Sequence, residues 1–236
     1  MATVFEKLEQ TGLKERFARE IQKKIFSGEL LPGEQLAPER ELAAQMGVSR
    51  SLVNMGLLDL ESKGFVRVEP RRGVFVTDYK KNPTPQTLAA LMSYDSSKLD
   101  HALFRSLMDT RRLVERECVR LSIERGGAEA YSGMREALER MRVPSQAAQV
   151  DALFDYHYLL TQSSGNIVYP MIFKGFEAAL RRLMELRLRL QPRQEEYIRL
   201  HENLLRALDT GDPVGADEAI MLIMDVGIGD LEKTYA

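Results

Sequence analysis

Tryptophan is absent from this 236-residue chain, and cysteine occurs once, at Cys118. A single thiol closes no disulfide within the chain, so the fold is expected to rest on packing alone, as suits a reducing cytoplasm. Cys118 itself lies in a helical pattern and reads as a small buried side chain. No apolar run reaches the ~18 residues of a membrane-spanning helix, so no membrane association is expected. The start, MATVFEKLEQ, mixes charges of both signs without an apolar stretch, unlike a secretory signal. Excess charge is missing too. Lys and Arg number 33 against 35 Asp and Glu, a net charge of −2. Wholesale electrostatic capture of nucleic acid is thereby excluded, and any DNA binding must use a local patch. Histidine is scarce, with His101, His157 and His201 only, and there is no P-loop, no dinucleotide-binding glycine pattern and no nucleophile motif.

What is present is helical punctuation. Leu13, Phe17, Ile21 and Ile25 recur at intervals of four and predict a helix over 12–26. Leu31-Pro32-Gly33 makes a turn, and a second helix is expected to start at Pro38, with Glu39 and Glu41 at its positive end and Leu42, Met46 and Val48 inward. Gly47 stops it. Ser49 is a good N-cap for a third helix from Arg50 to about Lys63, with Val53, Leu57 and Leu60 as its buried stripe and Gly64 as its end. Gly56 inside that helix costs about 1 kcal/mol against alanine, which a close helix–helix contact would explain. Phe65 to Glu69 alternates as a half-buried strand does, Pro70 to Gly73 turns, and Val74 to Thr77 returns.

Tyr79 to Pro85 is polar and proline-bearing, without apolar periodicity. The expected plan is a DNA-binding unit over 1–78, a linker at 79–86 and a helical ligand-binding and dimerisation unit over 87–236. Helical patterns fill 86–93, 98–126, 129–142, 146–163, 167–190, 192–210 and 213–234. The predicted fold class is mainly α: a winged helix-turn-helix with a small β-hairpin, then an all-α antiparallel bundle of six or seven helices.

A helix-turn-helix presents the first residues of its second helix to base edges. Opposite the Val53/Leu57/Leu60 stripe stand Arg50, Ser51 and Asn54. Arginine reads guanine and asparagine reads adenine, while Ser49 and Ser51 can reach phosphates. Arg40 approaches the same groove, and Arg71 and Arg72 beside Gly73 at the wing tip can reach the adjacent minor groove or backbone.

The run LLPGEQLAPERELAAQMGVSRSLVNMGLLDLESKGFVRVEPRRGVFV resembles the winged-helix domain of GntR-type bacterial transcription regulators. The resemblance places Arg40, Ser49, Arg50, Ser51, Arg72 and Gly73 on DNA-contact positions. Asn54-Met55 departs from the family's usual arginine and glutamate, which implies a different operator.

The helical half resembles the FadR-type effector domain of the same superfamily, through Arg111-Arg112-Leu113-Val114-Glu115, His157 before Gly165-Asn166, and His201 before Gly211-Asp212. Many relatives bind a divalent metal there. Here His157 and His201 fill two of the implied ligand positions, but Leu153 stands in place of an aspartate and Ile223 in place of a third histidine. No metal and no other cofactor is therefore expected. The two apolar replacements point to an organic effector, its head group held by Arg111, His157 or His201, with a fatty acid or acyl-CoA among the candidates. The resemblance implies a homodimer on a palindromic operator. Competing readings are a metal-dependent sensor of small carboxylates, an architectural DNA binder, and a hydrolase using His157 and His201.

Overall fold

The computed structural model describes residues 12–93, 101–125, 129–190 and 194–234, and the chain divides into two compact units, Met1–Tyr94 and Asp95–Ala236. In the first unit the four-residue spacing of α1 (Leu13–Phe26) buries Phe17, Ile21 and Ile25 and leaves Leu13 exposed at the helix start. α2 (Glu39–Met46) ends at Gly47, whose φ of 65° is the left-handed close that glycine permits. α3 (Arg50–Ser62) is capped by Ser49, whose Oγ accepts the Leu52 amide at 3.2 Å, and it buries Val53, Leu57 and Leu60. These stripes meet Leu36, Leu42, Phe65 and Val76 in one core, with Met46 and Val48 packed against it.

β1 (Val66–Glu69) and β2 (Gly73–Val76) pair antiparallel, Val66 opposite Val76 and Glu69 opposite Gly73. A two-stranded hairpin is marginal alone. Here β2 is flanked on its other side by the segment before α2: Gln35 bridges Phe75, the Leu36 amide donates to the Val74 carbonyl at 2.8 Å, and the Val76 amide donates to the Glu34 carbonyl at 2.9 Å. The wing is thus held from both sides. Phe26, Phe65 and Tyr79 stack edge to face beneath it, with ring centroids 5.4–5.6 Å apart.

α4 (Pro85–Ser93) belongs to the first unit. Thr84 and Thr87 each accept the other's amide at 3.0 Å, a reciprocal helix-start cap, and Thr87 Oγ1 also donates to the Lys63 carbonyl at the end of α3, at 2.6 Å.

The second unit has helices and no strand among its described residues: α5 (His101–Arg125), α6 (Glu129–Met141), α7 (Gln146–Ser163), α8 (Val168–Gly175), α9 (Glu177–Leu190), α10 (Gln194–Thr210) and α11 (Pro213–Glu232). α7 packs on α5, α6, α8 and α9, and α11 packs on α5, α9 and α10. α7 buries Leu153, Phe154, Tyr156, His157 and Leu160, apolar on most of its circumference, as a central helix must be. Cys118 is buried, and burial pushes its thiol up to about 12, so it serves as core.

The mainly α winged helix-turn-helix and helical bundle are as expected. One expectation fails: 167–190 is two helices, not one. Pro170 is accommodated in the first turn of α8, and beyond it Gly175 is the weakest helix former; the α8 chain closes at Phe176, and α9 restarts with the Leu180 amide on the Phe176 carbonyl at 2.9 Å.

Gly56 has the close contact that its place requires, because a Cβ built there overlaps the buried ring of Phe17 on α1. Gly56→Ala should therefore lower stability by about 1–3 kcal/mol through overpacking, despite the better helix former. Urea unfolding of the two proteins measures the difference, and equal or greater stability of the variant contradicts the contact.

Candidate DNA interface and effector pocket

Arg40, Ser49, Arg50, Ser51 and Asn54 are all exposed, the last four along the start of α3. Capping uses Ser49 Oγ as acceptor, which leaves its O–H as the group that can reach a phosphate. Asn54 Nδ2 donates to Glu39 Oε1 at 3.4 Å and so rests against α2. Arg40, Arg50 and Arg71 form no ion pair among the described residues.

At the wing tip the Arg72 amide donates to the Glu69 carbonyl at 3.0 Å and closes a turn with Pro70 and Arg71 in its corners. Arg71 has φ 64°, a seat that turns of this kind give to glycine, at a cost of about 1–2 kcal/mol for an L-residue. Gln35 Nε2 donates to the Arg72 carbonyl at 2.7 Å and lies where a Cβ on Gly73 would fall. Glu69 pairs with both Arg67 and Arg72, the latter at 2.6 Å. That pairing was not foreseen from the sequence, and it masks two of the wing's three arginines.

In the helical unit a buried polar chain crosses three helices. Arg111 Nε donates to Glu115 Oε1, one turn along α5. Glu115 Oε2 meets His157 Nδ1 on α7 at 2.5 Å, and His157 Nε2 lies 3.3 Å from His201 Nε2 on α10. His201 Nδ1 donates to the Tyr197 carbonyl at 2.8 Å, and the Tyr156 hydroxyl donates to the His201 carbonyl at 2.7 Å. Burial works to raise the Glu115 carboxyl, but Arg111 and His157 outweigh it and hold the group below its ordinary range. Burial lowers His157 and, reinforced by His157, takes His201 well below the usual histidine range.

The two Nε2 atoms face one point, as metal ligands would. Glu115 stands on the far nitrogen of His157, Leu153 and Ile223 offer no donor, and no group of three or more His, Cys, Asp or Glu able to hold a metal occurs among the described residues. Two imidazoles alone do not fit a divalent cation that takes four or more ligands.

Arg111, Leu153 and Ile223 line one interior cavity of about 20 Å³, which has room for about one water. His157 and His201 stand outside its lining, joined to Arg111 through Glu115. Two further polar members of the lining were missed from the sequence: Arg187 on α9 and Tyr197 on α10. Arg187 is only 4 % exposed, pairs with Asp230 at 3.2 Å, and sits over the Tyr197 ring with its Cζ 3.3 Å from the centroid. Its Nε and Nη1, and Nη2 of Arg111, have no hydrogen-bond partner. A signal existed: the buried stripe Leu180, Leu183, Met184 of α9 runs on to Arg187, a charge on an apolar face.

Comparison with known proteins gives two family matches: "Bacterial regulatory proteins, gntR family" over residues 13–76, and "FCD domain" over residues 106–225. Among individual relatives, the HTH-type transcriptional regulator Mce2R of Mycobacterium tuberculosis is 26 % identical over 91 % of this chain and 90 % of its own length. A fatty acid metabolism regulator protein of Shewanella pealeana is 27 % identical over 69 % of this chain and 67 % of its own. Among solved structures, Lar of Listeria monocytogenes shares the fold with a TM-score of 0.62 at 18 % identity, covering 98 % of this chain and 99 % of that one.

Two outcomes test this geometry. Arg71→Gly removes strain and charge together, so it should leave the thermal midpoint unchanged or higher while weakening DNA binding; a lower midpoint means the left-handed seat was misassigned. The second is acid sensitivity. Because the folded values of His157 and His201 lie below 6.5, the unfolded chain takes up protons first. Stability is then full above pH 6.5, declines below it, and falls further as Glu115 titrates below 4.5. The urea midpoint should drop between pH 7.5 and pH 5, less steeply in His201→Gln; parallel curves for the two proteins contradict the assignment.

Proposed function

Because the chain belongs to the GntR family of bacterial transcription regulators, with an FCD domain as its helical half, we propose that it acts as a homodimer on a palindromic operator and senses an organic acid or acyl compound. It is a ligand-responsive regulator rather than an enzyme, and its partners are double-stranded DNA and a small-molecule effector.

A dimer is favoured by the economy of the reading head. One winged helix with Arg40, Arg50 and a half-masked wing reaches few base pairs, and two heads on a two-fold operator double the contacts. The observation that carries the effector reading is the Nη2 of Arg111, without a partner beside an apolar cavity walled by Leu153 and Ile223. A buried guanidinium with an unused donor suits a carboxylate head group, while a cavity of this size leaves the hydrocarbon body to be seated outside it. His157, with His201 against its far side, holds Glu115, and Glu115 fixes Arg111. The resemblance to a protein named as a fatty acid metabolism regulator points the same way. Ligand coupling of about 2.7 kcal/mol suffices to change operator affinity roughly a hundredfold.

Fluorescence anisotropy on an inverted-repeat operator, with and without C4–C12 carboxylic acids and their CoA thioesters, tests both parts. DNA affinity should fall steeply with salt, Arg50→Ala should weaken it at least tenfold, and one of the acyl ligands should shift it. Arg111→Met should reduce the ligand's effect, and a circular dichroism melt checks that the helical unit survives loss of the charge beside Glu115. The effector reading sinks if none of these compounds alters either DNA affinity or the thermal midpoint.

A further inference from the structure

The cavity at Arg111 is too small for any hydrocarbon chain, yet a second void adjoins it. An open groove of about 530 Å³ runs between α10 and α11, a volume within the range of small-molecule sites. Arg187 and Tyr197 line both spaces, so groove and cavity meet at the guanidinium–ring stack. We infer that this groove is a binding site for an amphipathic monocarboxylate, its head group on Arg187 and its alkyl body along Leu200, Leu222 and Val226.

The head group follows from Arg187. It is buried, it sits over the Tyr197 ring, and Nε and Nη1 lack partners in surroundings where an unmade hydrogen bond is costly. Gly227 on α11 preserves the arrangement, since a Cβ there would sit 3.1 Å from the Tyr197 hydroxyl. The single negative charge follows from the rest of the lining. Glu196 and Asp230 share the groove, so a phosphate dianion or a CoA diphosphate meets repulsion that a carboxylate largely avoids. Asp230 lies 3.2 Å from Arg187 and 3.6 Å from Lys233, and can pass to Lys233 when a ligand carboxylate takes its place. That exchange trades one carboxylate for another at Arg187. The tail follows from Leu222, which is 49 % exposed within the groove beside Leu200 and Val226.

This inference rests on the reading that the helical unit takes an organic acid, and narrows it to the free acid. Isothermal titration of the full chain with octanoate, octan-1-ol and octyl phosphate is the test. Octanoate should bind, and the alcohol and the phosphate should bind at least tenfold more weakly. Arg187→Met and Leu222→Glu should each weaken octanoate at least tenfold; Leu222 is half exposed, so its variant keeps the fold, which a circular dichroism melt checks. Octanoate affinity unchanged in both variants, or octyl phosphate binding as tightly as octanoate, overturns the groove site. If Arg111→Met weakens octanoate while both groove variants bind normally, the groove falls and the organic-acid reading stands. Failure of octanoate and the other C4–C12 acids to bind the unaltered protein removes both.

Discussion

The helical unit is organised around a carboxylate sealed from water. Glu115 has no exposed surface, and an ion in that position is tolerated only when opposite charge and hydrogen bonds replace its solvent. Arg111 supplies the charge from one turn away, and His157 supplies the hydrogen bond from α7. The requirement locks α5 to α7, and the contact of His157 with His201 carries it to α10. It also sets the posture of Arg111: Nε is committed to Glu115, and Nη2 is left beside the cavity. The family resemblance directed attention to the histidines as ligands. In the folded chain His157 also holds the carboxylate that fixes the arginine, and His201 packs against His157.

The DNA-binding unit solves a different electrostatic problem. The chain is slightly acidic overall, so its affinity for DNA must come from few, well-placed cations. Glu69 pairs with Arg67 and Arg72 on the wing, while Arg71 is held outward in a backbone seat that disfavours it. Exposed ion pairs contribute only about 0–1 kcal/mol, so a phosphate can compete for Arg72 without great loss. Non-specific attraction is thereby kept low, and under the proposed function base contacts from Arg50 and Asn54 would carry a larger share of recognition.

Local chemistry made much of this legible in advance. The Val53/Leu57/Leu60 stripe, the Ser49 cap, the Gly47 and Gly64 stops and the exposure of Arg50, Ser51 and Asn54 all follow from period and capping within a few residues. The tight place at Gly56 was also readable, as a glycine where a helix prefers another residue. What escaped depends on partners far along the chain. Glu115 and His157 lie 42 residues apart, and Gln35 lies 37 from the Arg72 carbonyl that it holds. Nothing in the neighbourhood of Gln35 announces an extra strand, because its pairing is by backbone. Arg187 was readable in principle, as a charge on an apolar stripe, but the arginine-rich run around it reads as an ordinary solvated face.

Both units hold arginines ready for an anion, and burial decides which anion and how many contacts are needed. On the surface, two unit charges 4 Å apart interact by about 1 kcal/mol in water and about 4 kcal/mol near a protein surface. Exposed arginines facing phosphates must therefore act in numbers, and the proposed two-fold pair of reading heads would supply them. Inside the bundle, Arg111 and Arg187 are each already matched by a carboxylate, Glu115 and Asp230. What they offer a ligand is unused, fixed N–H donors rather than surplus charge. Recognition by such donors is directional and short in reach, so a single head group suffices there. The same residue type thus serves as a diffuse, repeated contact in one unit and as a single oriented one in the other, with solvent exposure as the variable that separates them.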